Sequence, residues 1–142
     1  SASEASTNAI GQLENGEGYI KAMHGAMHAA NVLQSDIKMV KTHGTGTASN
    51  NLAEKTALTS NLNDFIATSY KQKIGHTMGS SGLLETLLLL DDIREGTIPA
   101  IENRTEDDPV FLSKSAAKQD GLILSLAAGM GNIYSAAIFK GL

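Results

Sequence analysis

Thr42-His43-Gly44-Thr45-Gly46-Thr47 is the stretch that decides the fold of this chain. It follows a short run, Ile37 to Lys41, that is typical of a strand, and it precedes a segment that is typical of a helix. Its glycines let the backbone approach a ligand closely, because glycine has no Cβ atom. The imidazole and the hydroxyls supply polar groups just beyond a strand end. The stretch therefore predicts either a ligand site or a polar strand-to-helix loop with one ordinary histidine.

A second stretch, Lys71-Gln72-Lys73-Ile74-Gly75-His76-Thr77-Met78-Gly79-Ser80-Ser81-Gly82, repeats this arrangement. It follows a predicted strand, Asp64 to Lys71, that is rich in β-branched and aromatic residues, and it opens a long leucine-rich helix. Two strand–loop–helix units with a histidine in each loop predict one shared site. A lone histidine in either loop is equally compatible with a satisfied structural residue.

Together the two stretches resemble the C-terminal half of the β-ketoacyl synthases, the thiolase-like condensing enzymes of fatty-acid and polyketide assembly. The family patterns are T-H-G-T-G-T followed by D-x-x-E, and K-x-x-x-G-H-x-x-G-A-A-G, and this chain matches most of both in the same order. The resemblance implies an α/β fold, the C-terminal half of a thiolase-like fold, with a mixed, mostly parallel sheet and helices on both faces. Residues 1–142 are then a single C-terminal β-ketoacyl-synthase domain.

The resemblance also implies a reaction, the decarboxylative Claisen condensation of a malonyl-carrier thioester with an enzyme-bound acyl group. In that reaction His43 and His76 donate hydrogen bonds to the oxygen on which negative charge develops. Lys71 is the matching active-site lysine, and the hydroxyls of Thr45 and Thr47 match those that hold the pantetheine arm. The intact protein would be a 3-oxoacyl-[acyl-carrier-protein] synthase, an acyltransferase that needs no cofactor.

Two glutamates match supporting positions of the family. Glu54 would pair with Lys71, although an asparagine three residues earlier, Asn51, also gives Glu54 a capping-box pattern at a helix start. Asn51 stands where the family has aspartate, so one negative charge is lost. Glu85 interrupts the run Leu83 to Leu90, which predicts a helix buried on most sides, and a charge there is costly unless it is paired.

The C-terminal part predicts two antiparallel strands, Gly121 to Leu126 and Ile133 to Phe139, joined by the turn Ala128 to Asn132. The family turn reads G-F-G-G, with its Phe as a gate beside the nucleophile. Met130 replaces that Phe and Asn132 the last Gly. Met130 is therefore a candidate gate, or part of a tight turn next to the core.

The chain contains no cysteine, so it cannot supply the thiol nucleophile, which in the family belongs to the N-terminal half. The expected partners are that N-terminal half and an acyl carrier protein bearing malonyl- or acyl-phosphopantetheine, in an enzyme that is dimeric when intact. This chain alone is expected to be inactive. The alternative is a non-catalytic, partner-binding half of a condensing-enzyme complex, as in chain-length factors.

The composition of the chain argues against several other classes of protein. A net charge of -4 over 142 residues argues against nucleic-acid binding. No apolar run approaches the roughly 20 residues of a membrane span, and a cytoplasmic setting is expected. Charged residues make up only 18% of the chain, which indicates that part of its surface is covered by something else.

The remaining segments give secondary-structure predictions. Residues 1–18 are expected to be irregular, and residues 19–33 have the apolar spacing of a helix. His24 and His28 share a face of that helix, but a zinc site needs three or four ligands, so a solvated face is favoured and no metal site is predicted. A second helix is expected to run to about Leu62, and Gly96 is expected to cap the leucine-rich helix.

Overall fold

The computed structural model describes residues 2–5, 15–101, 110–131 and 133–141. Its strands are β1 (Ala2–Ala5), β2 (Ile37–Lys41), β3 (Ile66–Thr68), β4 (Thr97–Ile98), β5 (Ala116–Ala117), β6 (Leu122–Gly129) and β7 (Ile133–Lys140). Its helices are α1 (Glu17–Ala30), α2 (Ala48–Asn61), the single turn α3 (Lys71–Ile74) and α4 (Ser81–Arg94). Short 3-10 turns at Gln34–Asp36 and Met78–Ser80 precede β2 and α4.

The main sheet has the strand order β1-β7-β6-β2-β3. Strands β2 and β3 are parallel, as are β2 and β6, whereas β7 is antiparallel to both β6 and β1. The predicted mixed α/β sheet is confirmed, and this main sheet has two parallel and two antiparallel pairings among its described strands. The predicted hairpin of β6 and β7 is also confirmed.

Helices cover both faces of this sheet. On one face, α1 and α2 pack through Tyr19, Met23 and Leu58 against the sheet residues Val40 and Leu124. On the other face, α4 packs through Leu89 and Ile93 against Met39 and Ile123.

The burial of β2 follows a bulge. The ladder with β6 shifts register between Ile37 and Met39, so Ile37 and Val40 both face the α1/α2 side. Met39 lies on the α4 side, and Lys41, two residues further, follows it there because strand side chains alternate.

The carboxyl ends of β2 and β3 lie together because the two strands are parallel neighbours. The backbone N–H of Thr42 donates to the carbonyl of Thr68 at 2.9 Å, and its hydroxyl donates to the same oxygen at 3.0 Å. The loop after β2 carries His43, and the chain after β3 carries Lys71 and His76. The sheet therefore places both sequence stretches at one edge.

Several predicted boundaries are wrong. Ala2–Ala5 pairs with β7 instead of being irregular, while residues 6–14 lie outside the described part. Helix α1 ends at Ala30, because Asn31 adopts a left-handed conformation with φ of 54°. The strand predicted over Asp64 to Lys71 spans only Ile66–Thr68, and Lys71 opens α3 rather than ending a strand.

Helix α4 is less buried than its leucines predict. The exposed fractions of Leu83, Leu84 and Leu87 are 69%, 39% and 54%. The expectation of burial on most sides is therefore wrong for this chain by itself. The helix is capped at Glu95, and Gly96 follows it with φ of 82°. Among the described residues, no helix has the length and apolar character to cross a bilayer.

Candidate active site

His43 and His76 come together at the sheet edge. Their ring centroids are 5.7 Å apart and the ring planes meet at 81°, an edge-to-face arrangement. His43 follows β2 directly and is only 4% exposed, whereas His76 lies in the loop after α3 and is exposed. The predicted convergence of the two loops is present in the structure.

The imidazole of His43 sits in a site that disfavours its protonation. Burial, followed by the positive charges of Lys71 and Lys41, lowers the pKa of His43 to about 3. Its Nδ1 atom is buried and has no hydrogen-bond partner among the described residues. We infer that the neutral ring carries its proton on Nε2, because buried N–H groups are left unpaired more rarely than buried acceptors.

Glu85 is the shared acceptor of a buried charge cluster. Its Oε1 lies 2.6 Å from the Nζ atom of Lys71, and its Oε2 lies 3.2 Å from the Nζ atom of Lys41. The hydroxyl of Ser81, one turn earlier on α4, also donates to Oε1. Burial alone would raise the pKa of Glu85, but Lys41, Lys71 and Ser81 outweigh it and lower that pKa. The predicted pairing of a buried Glu85 is therefore present.

Glu54 has a different role from either predicted one. It lies in the second turn of α2, which starts at Ala48, so Asn51 and Glu54 form no capping box. Its carboxylate accepts the backbone N–H of His43 at 2.5 Å, the backbone N–H of Gly44 at 2.9 Å and the side-chain amide of Asn50 at 2.7 Å. Burial raises its pKa despite these donors.

Glu54 thus accepts hydrogen bonds from the His43 loop. The ammonium of Lys71, its predicted partner, bonds to Glu85. A second layer holds this arrangement, since the hydroxyl of Tyr19 donates to the side-chain oxygen of Asn50 at 2.7 Å. Glu54 positions the His43 backbone and does not neutralise the lysine.

A cleft of about 580 Å³ opens beside His76 and the glycines of the His43 loop. Its lining includes Thr45, Asn51, Lys71, His76 and Phe111. The hydroxyl of Thr45 lies 3.4 Å from that of Thr47, which occupies the N-cap position of α2. Both predicted threonines therefore lie at the cleft or its rim.

The loop depends on the left-handed backbone of Gly44. Its φ is +61°, and a Cβ atom added there would lie 2.1 Å from the hydroxyl oxygen of Ser69. Glycine allows the loop after β2 to pass close to the end of β3, which sets the position of His43.

The candidate gate and the two histidines of α1 do not line the cleft. Met130 is in the turn between β6 and β7 and is 88% exposed. His24 contacts the side-chain oxygen of Asn61 at 2.7 Å, and His28 is exposed on α1. In the part of the chain that the structure describes, no group of three His, Cys, Asp or Glu residues could hold a metal ion.

Sequence reasoning missed Lys41, Asn50 and Ser81. Lys41 is 0% exposed, and burial lowers its pKa. Its burial could have been predicted, because Lys41 lies two residues after the apolar Met39 on one strand and therefore points to the same side of the sheet. Asn50 and Ser81 carried no such signal, since their roles depend on contacts with distant residues or within a turn.

A family model described as the C-terminal domain of beta-ketoacyl synthase matches residues 1–105. The chain belongs to the β-ketoacyl synthase family. The predicted resemblance is thereby confirmed.

Two curated relatives of this ketosynthase domain illustrate the range of the family. The ketoacyl synthase alpha subunit of the tetracenomycin polyketide synthase from Streptomyces glaucescens is 30% identical over 133 residues, 87% of this chain and 31% of that protein. The 3-oxoacyl-[acyl-carrier-protein] synthase 2 of Mycobacterium leprae is 35% identical over 97 residues, 67% of this chain and 23% of that protein. The chain thus spans about a third or less of these relatives.

Solved ketosynthases share the fold. A type II polyketide ketosynthase in complex with its acyl-carrier protein superposes with a TM-score of 0.89 at 20% identity, over 99% of this chain and 37% of that one. A β-ketoacyl synthase from Burkholderia phymatum gives a TM-score of 0.84 at 23% identity, over 99% of this chain and 36% of that one. The thiolase-like α/β fold is confirmed.

Proposed function

We propose that the protein containing this chain is a 3-oxoacyl-[acyl-carrier-protein] synthase, and that His43 and His76 stabilise the decarboxylation of its malonyl thioester. The observation that carries this proposal is the 5.7 Å separation of the two rings at the end of adjacent parallel strands. Two loops that are far apart in sequence deliver one imidazole each to the same point.

The chemistry explains why two imidazoles are needed. Loss of CO₂ from a malonyl thioester leaves an enolate whose negative charge rests largely on the thioester oxygen. Two fixed N–H donors aimed at that oxygen lower the barrier, and one such donor is typically worth about 2.7–4 kcal/mol. The Nε2–H tautomer inferred for His43 supplies a donor without placing a charge in the site.

Lys71 contributes charge at the rim of this site. It lines the cleft and is held by Glu85, so its ammonium has a fixed position next to the bound thioester. Glu54 acts through the backbone, since it fixes the N–H groups of His43 and Gly44. Both glutamates are therefore supporting residues.

The cleft is the proposed path of the pantetheine arm. The arm carries amides that need donors and acceptors within a narrow passage, and the hydroxyls of Thr45 and Thr47 offer both. The structural neighbour that is in complex with an acyl-carrier protein supports a carrier as the partner. A coenzyme A thioester carries the same arm and is a second possible donor.

The remaining part of the synthase would supply the nucleophilic cysteine. This chain has no cysteine and covers at most 31% of the two relatives compared here. The exposed side chains of Leu83, Leu87 and Met130 form apolar surface that a second half of the fold would cover. Met130 remains a candidate gate in that assembly, and the assembled enzyme is expected to be a dimer.

The test uses the intact protein with malonyl-carrier and acyl-carrier substrates. A synthase gains one acyl group, seen as a mass increase, and releases CO₂ as the 3-oxoacyl product forms. A protein that binds the carrier but gains no acyl group and releases no CO₂ would contradict the proposal. It would then be a non-catalytic, partner-binding half.

A further inference from the structure

Lys41 is a buried lysine to which the proposed chemistry assigns no task. It is the last residue of β2 and is 0% exposed. The alternation of the strand places it on the same side as Met39, which packs against α4. Its Nζ atom lies 3.2 Å from Oε2 of Glu85.

The cluster around Glu85 holds two buried ammoniums, and the buried carboxylate of Glu54 is close enough to attract Lys41 as well. Lys41 and Lys71 share the carboxylate of Glu85, which also accepts the hydroxyl of Ser81. Burying an ammonium is costly, and a well-packed apolar side chain in its place is often neutral or stabilising. A buried lysine at this position therefore costs stability that an apolar side chain would not, and the cost has a purpose if the charge acts on a neighbouring group.

The neighbour is His43, two residues further along the same extended segment. The titratable and charged groups that face it are Lys41, Lys71, Glu85 and His76, with Glu54 on its backbone side. The two described carboxylates near the ring are already engaged, because two ammoniums bind Glu85 and the backbone N–H groups of the His43 loop bind Glu54. A proton on the buried Nδ1 atom of His43 would therefore meet repulsion and no acceptor.

We propose that Lys41 is a positioning residue of the condensing site, whose buried ammonium, fixed by Glu85, acts together with Lys71 and the burial of the ring to keep the imidazole of His43 neutral. The purpose rests on the proposed function. Decarboxylation yields CO₂ and an enolate, and an imidazolium beside the enolate would transfer its proton to the enolate carbon and give an acetyl thioester. A neutral ring stabilises the oxygen and leaves the carbon free to attack the acyl thioester.

The first test is a histidine titration of the intact protein by NMR, with 13C-labelled imidazoles and His43 assigned by its loss in His43→Gln. Lys41→Met keeps the length of the side chain and leaves Lys71 paired one to one with Glu85, so it is expected to fold. The pKa of His43 should rise by about one pH unit or more, as expected when a nearby like charge is removed. Lys73→Met also removes one positive charge, but Lys73 is exposed, so this variant should change the pKa of His43 far less.

A folded Lys41→Met protein with an unchanged His43 pKa would overturn the inference. If that variant does not fold, the same titration of Lys41→Gln decides it by the same criterion. A second readout is product partition, because the ratio of acetyl thioester to 3-oxoacyl product should increase at acidic pH in Lys41→Met and not in Lys73→Met. Wild-type protein that releases no CO₂ would refute the proposed function, whereas the titration would still test the electrostatic role of Lys41.

Discussion

The Nζ atom of Lys71 lies 2.6 Å from Oε1 of Glu85, and the side chains of the two residues are 7% and 0% exposed. The Nζ atom of Lys41 lies 3.2 Å from the other carboxylate oxygen, Oε2. One glutamate on α4 thereby connects the end of β2 to the start of α3. Glu85 holds Lys71 at the cleft, and water cannot take its place because the carboxylate is fully buried.

Glu85→Gln should destabilise the protein strongly. The substitution leaves the buried ammoniums of Lys41 and Lys71 without a counter-charge, and removing one partner of a buried ion pair typically costs about 3–5 kcal/mol. The free energy of unfolding, measured with denaturant, checks this. Asp91→Asn on the exposed face of the same helix, 4.0 Å from Arg94, is the control and should change stability by about 1 kcal/mol or less. Equal effects of the two substitutions would contradict the buried cluster.

Gly44→Ala should be more destabilising than Gly46→Ala. Both glycines have positive φ, +61° and +81°, so alanine is strained at each. Only at Gly44 does the added Cβ also meet Ser69, whereas nothing lies within 4 Å at Gly46. The difference between the two unfolding free energies isolates the close approach of the loop to β3. A Gly46 variant as unstable as the Gly44 variant would show that backbone strain alone matters.

Much of this arrangement could be predicted from the sequence because it depends on local pattern. The strand Ile37 to Lys41 has the predicted bounds, and the histidine loops follow parallel strands whose ends must meet at one edge. The partners of the charged groups could not be predicted in the same way. Glu54 was assigned to Lys71 or to a cap, but its bonds to the His43 loop depend on how α2 lies against that loop.

The exposure of α4 shows a second limit. Leucines at most positions from Leu83 to Leu90 predict burial on most sides, yet Leu83 and Leu87 are exposed in this chain. The apolar pattern of a helix reflects every contact that the helix makes in the complete protein, whereas the structure of this chain contains only the contacts within the chain. The apolar pattern and the observed exposure agree if another protein segment covers this helix.

The stability of the protein should increase as pH rises from about 3 to 6.5 through the contribution of His43. Burial and the neighbouring lysines lower the folded-state pKa of His43 to about 3 from its ordinary value of 6.5. Between these values the unfolded chain binds the proton and the folded protein does not, so acid favours unfolding. Unfolding free energies measured across this pH range should show a smaller slope in His43→Gln than in wild type. An identical slope in the two proteins would mean that His43 titrates normally when folded.

Thr45→Val and Thr47→Val should weaken use of the carrier substrate without abolishing turnover. Each variant keeps the size of the side chain and removes one hydroxyl at the cleft, and a lost hydrogen bond of about 1 kcal/mol corresponds to an increase in KM of about fivefold. Steady-state kinetics with malonyl-carrier checks this. The matched control is Thr59→Val. In the wild type, the hydroxyl of Thr59 donates to the carbonyl of Lys55 on the exposed side of α2. A fall in kcat with an unchanged KM would place the threonines in the chemical step instead.

His43→Ala and His76→Ala should each reduce the rate of CO₂ release by about 10²–10³-fold, the typical loss of one oxyanion donor. Because the rings lie 5.7 Å apart and are proposed to share one oxygen, the double variant should lose less than the product of the two single losses. His28→Ala on the exposed face of α1 is the control and should leave the rate unchanged. Circular dichroism establishes that each variant is folded. Single losses that multiply in the double variant would mean that the two imidazoles act on different atoms of the substrate or in different steps.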